Sequence, residues 1–430
     1  MKYDIIIIGA GAAGLMAMND LLDAGYRVCL LEATAVAGGR IAPAKETGFS
    51  EPVETGAEFV HGRLPLTLTL LDKANIIYVP VEGKMIAVQN GRWKENEAHD
   101  KHWVLFLQQL KKIKKDISLE QFLKKYFADE EYISLRKAVR SYAEGFDLSD
   151  ITKASAMAAQ REWSEDKETQ YRIPGGYIQL IHFLEQECSR ENASMHFNTV
   201  VTKIEYNKES VTVYTTDNKS FEASKLLITV SAGILQSGAL EFVPAFDARY
   251  SHAIQQLGFG SVIKILLEFT SPFWTTHAAD IGFLLSDEAI PTWWTQLPIK
   301  NNLLTGWLGG PAAIVKSGET DASILESALQ SLSAIFRIQS TDLERQLVHY
   351  KMNSWHNHPH VKGGYSYNTI ASAQAKKILS HPAEGTLFFA GEALYNGASQ
   401  ATVEAALQSG RQAAEKIKKY FPSDIHAQKI

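Results

Sequence analysis

With 430 residues, 45% of them hydrophobic and 21% charged, the chain has the make-up of a soluble globular protein too long for one ordinary core, so two or three domains are expected. A net charge of −5 gives no reason to expect nucleic acid or an anionic membrane as a partner, and the basic run from Lys111 to Lys115 reads as a solvated helix face. The two distant cysteines, Cys29 and Cys188, make no disulfide framework and suit a reducing cytoplasm. No apolar run has the length of a signal peptide or a membrane helix, and the polar tail from Lys418 onward shows no anchor.

The chain opens on YDIIII, Tyr3 to Ile8, a continuous apolar strand of the kind buried on both faces of a parallel sheet. Gly9, Gly11 and Gly14 follow with G-x-G-x-x-G spacing, and a helix is expected from Ala12 to Asp23, with Leu15, Met18, Leu21 and Leu22 on one face. Gly25 ends it, and RVCLLE gives a second strand finishing at Glu32. Glycines alone would only ease a turn. Arriving with strand, helix, strand and acid, they predict a backbone cradle for a pyrophosphate at the helix start and a carboxylate for the ribose hydroxyls. That carboxylate would repel a ribose phosphate, so NADP is not expected. A second glycine turn, Gly38 and Gly39 before Arg40, suggests more backbone against phosphate with a charge-assisted contact beside it.

Further along, Trp103, Leu105, Phe106 and Leu110 share a helical stripe, as do Leu119, Phe122 and Leu123. GSVIKILLEF, residues 260 to 269, alternates like a strand, with Ile263, Ile265, Leu267 and Phe269 on one face and Val262, Lys264, Leu266 and Glu268 on the other. Taken alone, that second face reads as wet, with Lys264 covering apolar neighbours with its stem. WHNHPH sets His356, His358 and His360 at alternate positions, which a strand would turn to one side as a metal site, but Pro359 interrupts it and no metal is expected. Near the end, GTLFFAGEA predicts a buried strand from Thr386 to Ala390 stopping at Gly391 and Glu392. A helix from Ala401 to Lys418 follows, offering N–H groups to a second part of a long cofactor.

These stretches, in this order, resemble the FAD-dependent amine oxidases, the family of monoamine, polyamine and bacterial flavin amine oxidases. The resemblance is carried by Gly9 to Gly14 with Glu32, GGR at 38–40, TGAEFVHG at 55–62, RIPGGYIQLI at 172–181 and VTKI at 201–204. It continues with LLITVSAGIL at 226–235, Gly260 through Trp274, Trp355 with GGYS at 363–366, and FFAGE at 388–392. It implies an α/β fold: a Rossmann-type FAD-binding domain of the GR2 kind from 1–79, 175–253 and 359–430, and an α+β substrate domain of mixed sheet plus helices from 80–174 and 254–358. The cofactor-binding set it implies is Gly9, Gly11, Ala13, Gly14, Glu32, Gly39, Arg40, Gly56, Ala57, Glu58, Val201, Gly391, Glu392, Thr402 and Val403.

In this family the lysine matching Lys264 lies near the flavin N5, linked to it through a water, so the resemblance implies a catalytic lysine rather than a wet face. A cation there would stabilise charge developing as oxygen accepts an electron, and would favour the neutral form of an incoming amine. The implied reaction removes a hydride from the carbon next to an amine nitrogen, giving an imine and hydrogen peroxide, with a small-molecule amine and oxygen as the reactants. Phe59, His61, Trp293, Trp294, Trp307, Trp355 and Tyr365 are candidate lining residues, with Tyr395 as a further one and Glu58 placed at the flavin edge or a substrate cation. Two departures stand out. Tyr365 occupies the position of the family's flavin-linking cysteine, so FAD is expected to be non-covalent, and Ser366 and Thr402 occupy the positions of its two caging tyrosines. An L-amino acid oxidase, aiming Arg63, Arg140 or Arg161 at a carboxylate, and an FAD-dependent desaturase are alternatives on the same fold. A non-catalytic flavoprotein that binds a partner is an alternative of another class.

Overall fold

Tyr3–Ile8 forms the central strand of the larger sheet because its isoleucines have apolar surface to bury on both sides; Ile5, Ile6 and Ile7 are fully buried. In the computed structural model, residues 3–43, 48–89, 91–95, 100–163 and 169–422 are described, and the polar tail beyond Pro422 lies outside them. Tyr3–Ile8 pairs in parallel with Val28–Leu31 on one side and Ser220–Ile228 on the other, and Val28–Leu31 pairs in parallel with Ala193–His196. The early half of Ser220–Ile228 makes an antiparallel pair with Val211–Thr215, and its last residues pair in parallel with Leu387–Phe389. Val201–Tyr206 and Glu241–Val243 complete this eight-stranded sheet, whose strands therefore come from three separate stretches of chain.

The helix expected after the first glycine turn spans Ala12–Asp23, and the closing helix spans Val403–Tyr420, starting after Thr402, whose hydroxyl accepts the N–H of Ala405. These two helices pack backbone to backbone. A Cβ on Gly410 would lie 2.2 Å from the carbonyl oxygen of Ala13. Gly410→Ala should therefore force the helices apart and lower the melting temperature by several degrees, from a cost of about 1–3 kcal/mol for an overpacked contact; an unchanged transition would show that the helices have slack.

A second sheet of seven strands runs in the order Leu347–Ser354, Val262–Phe269, Leu303–Gly309, Thr292–Trp294, Ile281–Ser286, Lys84–Gln89, Arg92–Glu95. Four helices, Trp103–Leu110, Leu119–Tyr126, Ile133–Gly145 and Ala156–Trp163, build a separate aromatic core around Phe106 and Phe122. Among the described residues no helix is long and apolar enough to cross a membrane.

Val262–Phe269 lacks the wet face that the strand taken alone suggests, and its burial agrees with what the resemblance implied for Lys264. All eight of its residues are buried, so neither face meets solvent. Ile263, Ile265, Leu267 and Phe269 pack in the core that contains Ile324, Ala328 and Leu332 of the helix Asp321–Phe336. The other face is covered by residues 49–58 and by Trp355. Ser50 hydrogen-bonds Glu268, Val53 packs on Leu266, and Trp355 packs on Val262. Lys264, between them, is 1% exposed.

Candidate active site

One cavity of about 2500 Å³ is lined by residues of both sheets and of the helical layer. Ligand pockets of a few hundred to a thousand Å³ suffice for drug-sized molecules, so this one has room for a dinucleotide and a second molecule together.

At one end the wall is bare backbone. Gly9, Gly11, Gly38 and Gly39 line it, and the two glycine turns are joined by a parallel bridge between Gly11 and Gly38 and by the Gly38 N–H donating to Ala10 O at 2.9 Å. Gly9 has φ +107° and Gly39 φ +59°, conformations a side chain would strain. A Cβ on Gly11 would meet nothing nearer than 3.9 Å, so its bareness keeps the cavity floor clear. The helix behind it starts without a side-chain cap, leaving its first N–H groups and its dipole for an anion. Glu32 is buried in the same wall, its Oε2 accepting the Ala10 N–H and its Oε1 accepting the N–H and hydroxyl of Thr34, each at 2.8 Å. These donors tie the carboxylate to the first glycine turn. An adenine dinucleotide fits this chemistry: free N–H groups for its phosphates and a fixed carboxylate for its ribose.

Ala13, Gly56, Ala57, Glu58, Val201, Gly391, Glu392, Thr402 and Val403 also line the cavity. Arg40 lines it too and donates to Glu392 at 2.7 Å and to Gly364 O at 2.8 Å, while Ser366 donates to the other oxygen of Glu392. Ser366 and Thr402 are thus short side chains already engaged, one on Glu392 and one as a helix cap. Gly14 stands apart from the wall: a Cβ there would lie 2.0 Å from Gly9 O, so its bareness serves the turn rather than the cavity.

The Lys264 ammonium also reaches the cavity wall. It donates to Glu58 Oε2 at 2.5 Å and to Gly56 O at 3.2 Å, and lies 5.7 Å from the Trp294 ring centre. Glu58 Oε1 accepts from the Arg172 guanidinium and, at 3.1 Å, from Trp294 Nε1. Burial alone would raise the Glu58 carboxyl; the two cations outweigh it and hold the group at about 2. Arg172 also donates to Gln296 and Thr295 and stacks over Phe59 at 4.7 Å. Sequence reasoning missed Arg172, although it begins the quoted stretch RIPGGYIQLI.

The aromatic wall is continuous. His61, Phe59, Trp294, Trp307 and Tyr365 follow one another with ring centres 5.7 to 6.4 Å apart, and Trp307 donates to Gly145 O. Trp355 lines the cavity with its Nε1 donating to Thr55 O at 2.9 Å. Two expected lining residues stand elsewhere. Trp293 is fully buried in the core of the second sheet, because its neighbour Trp294 takes the cavity face of the same short strand. Tyr395 lies outside the wall, its ring against Gly397. Of the three arginines an amino acid substrate would call on, Arg63 lines the cavity, Arg140 pairs with Glu144, and Arg161 lies outside the wall. His356 falls in the short turn Trp355–Asn357 rather than on a strand, and His358 stacks on Trp355 at 5.2 Å. Among the described residues no group of three or more His, Cys, Asp or Glu is arranged to hold a metal ion. Both cysteines are free and buried, and neither lines the cavity.

Behind Gly56, burial pushes the Glu54 carboxyl up to about 7 against the pull of Lys264, and its Oε2 has no hydrogen-bond partner. A carboxyl raised in the folded state binds its proton more tightly there than in the unfolded chain. Its contribution to stability is full below about pH 4.5 and is lost as pH rises through 7. Glu54→Gln should therefore flatten the decline in melting temperature between pH 5 and pH 8, with a gain of up to about 3 kcal/mol at the alkaline end. Parallel curves for the two proteins would contradict this.

The family model described as flavin containing amine oxidoreductase matches residues 12–84 and 91–418. The chain is 26% identical over 444 residues to lysine-specific histone demethylase 1B of Mus musculus, covering 96% of this chain and 52% of that protein. It is 25% identical over 447 residues to polyamine oxidase 2 of Arabidopsis thaliana, covering 96% of this chain and 87% of that one. The chain thus spans about half the length of the curated demethylases it matches. Its structure resembles wild-type putrescine oxidase bound to putrescine with a TM-score of 0.82 at 18% identity, over 97% of this chain and 99% of that one. That likeness shows the shared fold.

Proposed function

Because the chain belongs to the flavin-containing amine oxidoreductases, we propose that it is an amine oxidase of the cytoplasm: a hydride leaves the carbon next to an amine nitrogen, and dioxygen takes up the electrons. The products are an imine, which water hydrolyses to a carbonyl compound and an amine or ammonia, and hydrogen peroxide. FAD is the family's cofactor and, when bound, supplies the hydride acceptor. The same reading divides the chain into an FAD domain of 1–79, 175–253 and 359–430 and a substrate domain of 80–174 and 254–358.

One observation carries the proposal. A buried ammonium, Lys264, shares a cavity with a glycine cradle and the fixed carboxylate of Glu32. Glu32 would accept the ribose hydroxyls, the N–H groups of the first helix would meet the phosphates, and Lys264 would stand at the reacting end as a fixed cation for charge developing on oxygen. Phe59, Trp294, Trp307 and Tyr365 exclude water, which disfavours the charged ammonium of the substrate and leaves the neutral amine that gives up hydride. Half-buried carboxylates in the cavity wall, among them Asp147, which accepts from Trp163 Nε1, and Glu162, which accepts from Asn368, would favour an amine that carries a further positive charge. The named substrates of related proteins, putrescine and polyamines, are of that kind.

The test is turnover on benzylamine, putrescine, spermine and a set of amino acids, read as peroxide. The proposal expects peroxide with amines and faster turnover with the polycations. Turnover confined to amino acids would move the assignment to an amino acid oxidase engaging Arg63, and silence across the panel would favour a non-catalytic flavoprotein.

A further inference from the structure

Lys264 does not stand at the wall as a lone cation. Its ammonium has three N–H donors; Glu58 Oε2 and Gly56 O take two, leaving the third for the cavity. Glu58 has three of its acceptor sites taken, Oε2 by Lys264 and Oε1 by Arg172 and Trp294, so it is held from both sides. All three charged side chains are buried, at 1% exposure for Lys264, 8% for Glu58 and 5% for Arg172. Two buried cations share one buried anion, and each cation reaches it from a different element, the strand Val262–Phe269 and the strand Gln170–Arg172.

We propose that Glu58 is a positioning residue for Lys264: it holds the buried ammonium charged and aimed at the reacting end of the cavity, while Arg172 and Trp294 fix Glu58 from behind. This rests on the reading of Lys264 given above and goes beyond it by assigning what keeps that cation in service. A buried amine without a counter-ion is driven towards its neutral form, and a neutral Lys264 would no longer stabilise charge on oxygen. The net charge of the triad is +1, and that excess is what the cavity feels. The titratable and charged groups facing Lys264 are Glu58 and Glu54 on the covering segment and, through Glu58, Arg172; Glu54 is the group whose own titration must be separated from the effect.

Glu58→Gln keeps the size and an acceptor oxygen and removes the charge. The test uses purified FAD-loaded protein and the variants Glu58→Gln, Lys264→Met, the double variant, and Glu54→Gln. In thermal unfolding, Glu58→Gln should lower the midpoint on the order of 5 °C, and the double variant should recover at least half of that loss because the cation left without a partner is gone. In the second arm the flavin is reduced chemically, without any amine, and mixed with oxygen across pH. The reoxidation rate of Glu58→Gln should fall off at lower pH than in the parent, and Glu54→Gln, which removes a charge that feels Lys264 without hydrogen-bonding it, should move that fall less than Glu58→Gln does. Additive melting losses, or a pH profile unmoved by Glu58→Gln, would overturn the proposal. If the parent itself reacts sluggishly with oxygen, the oxidase reading fails and the melting cycle alone decides whether Glu58 and Lys264 are coupled.

Discussion

Lys264→Met should leave the protein folded and yellow while slowing its reoxidation by oxygen about 10²–10³-fold, the loss expected when one preorganised electrostatic group is removed from a reacting centre. Methionine has nearly the length of the lysine stem, so it fills the same buried place on the strand between Val262 and Leu266. Glu58 keeps Arg172 and Trp294 as partners, so no carboxylate is stranded. The residues proposed to hold the cofactor, Gly9, Gly11, Gly39 and Glu32, make no hydrogen bond with Lys264 and are untouched. The measurement is a stopped-flow trace of chemically reduced protein mixed with oxygen, beside the visible spectrum of the oxidised form. A reoxidation rate equal to the parent's would remove Lys264 from the chemistry.

Glu32→Ala should give colourless protein that unfolds at lower temperature. The carboxylate does two things at once. It is the acceptor proposed for the ribose, and it ties down the glycine turn by accepting the N–H of Ala10. Loss of the side chain leaves a buried N–H without its partner, at about 1–3 kcal/mol, before any ligand is considered. The stabilisation that a tightly bound cofactor lends by mass action, about 4 kcal/mol when it is present at a thousand times its dissociation constant, is lost as well. Flavin content per chain after gel filtration, and the shift of the melting transition on adding FAD, read the two parts separately. Full retention of flavin would place the ribose elsewhere.

How much of this was legible in the sequence depends on how local each cause is. The strand Tyr3–Ile8, the helix Ala12–Asp23 and Glu32 follow from one another within a short stretch, and the structure places them as their spacing implies. The address of Lys264 was not legible from its strand. Alternation sorts side chains into two faces and leaves open what covers each. The cover comes from Glu58 and its neighbours, 206 positions earlier, and a wet face and a sealed one look the same until that segment is laid down. The tryptophan pair shows the same limit at single-residue scale. Trp293 and Trp294 are adjacent on a strand, so one must face the core and the other the cavity, and only the packed structure says which. Arg172 was missed because its partners lie far away in sequence, and Tyr395 was misplaced because the turn after Glu392 carries no periodic signal.

On the proposed function, a flavin and a buried, compensated cation meet in one cavity where an amine gives up its hydride. The most direct measurement is the absorbance spectrum of the purified protein before and after anaerobic mixing with an amine. The flavin spectrum should bleach with putrescine or spermine and return when oxygen is admitted, with the return slowed in Lys264→Met. A flavin that stays oxidised in the presence of every amine, or a return equally fast in the variant, would contradict it.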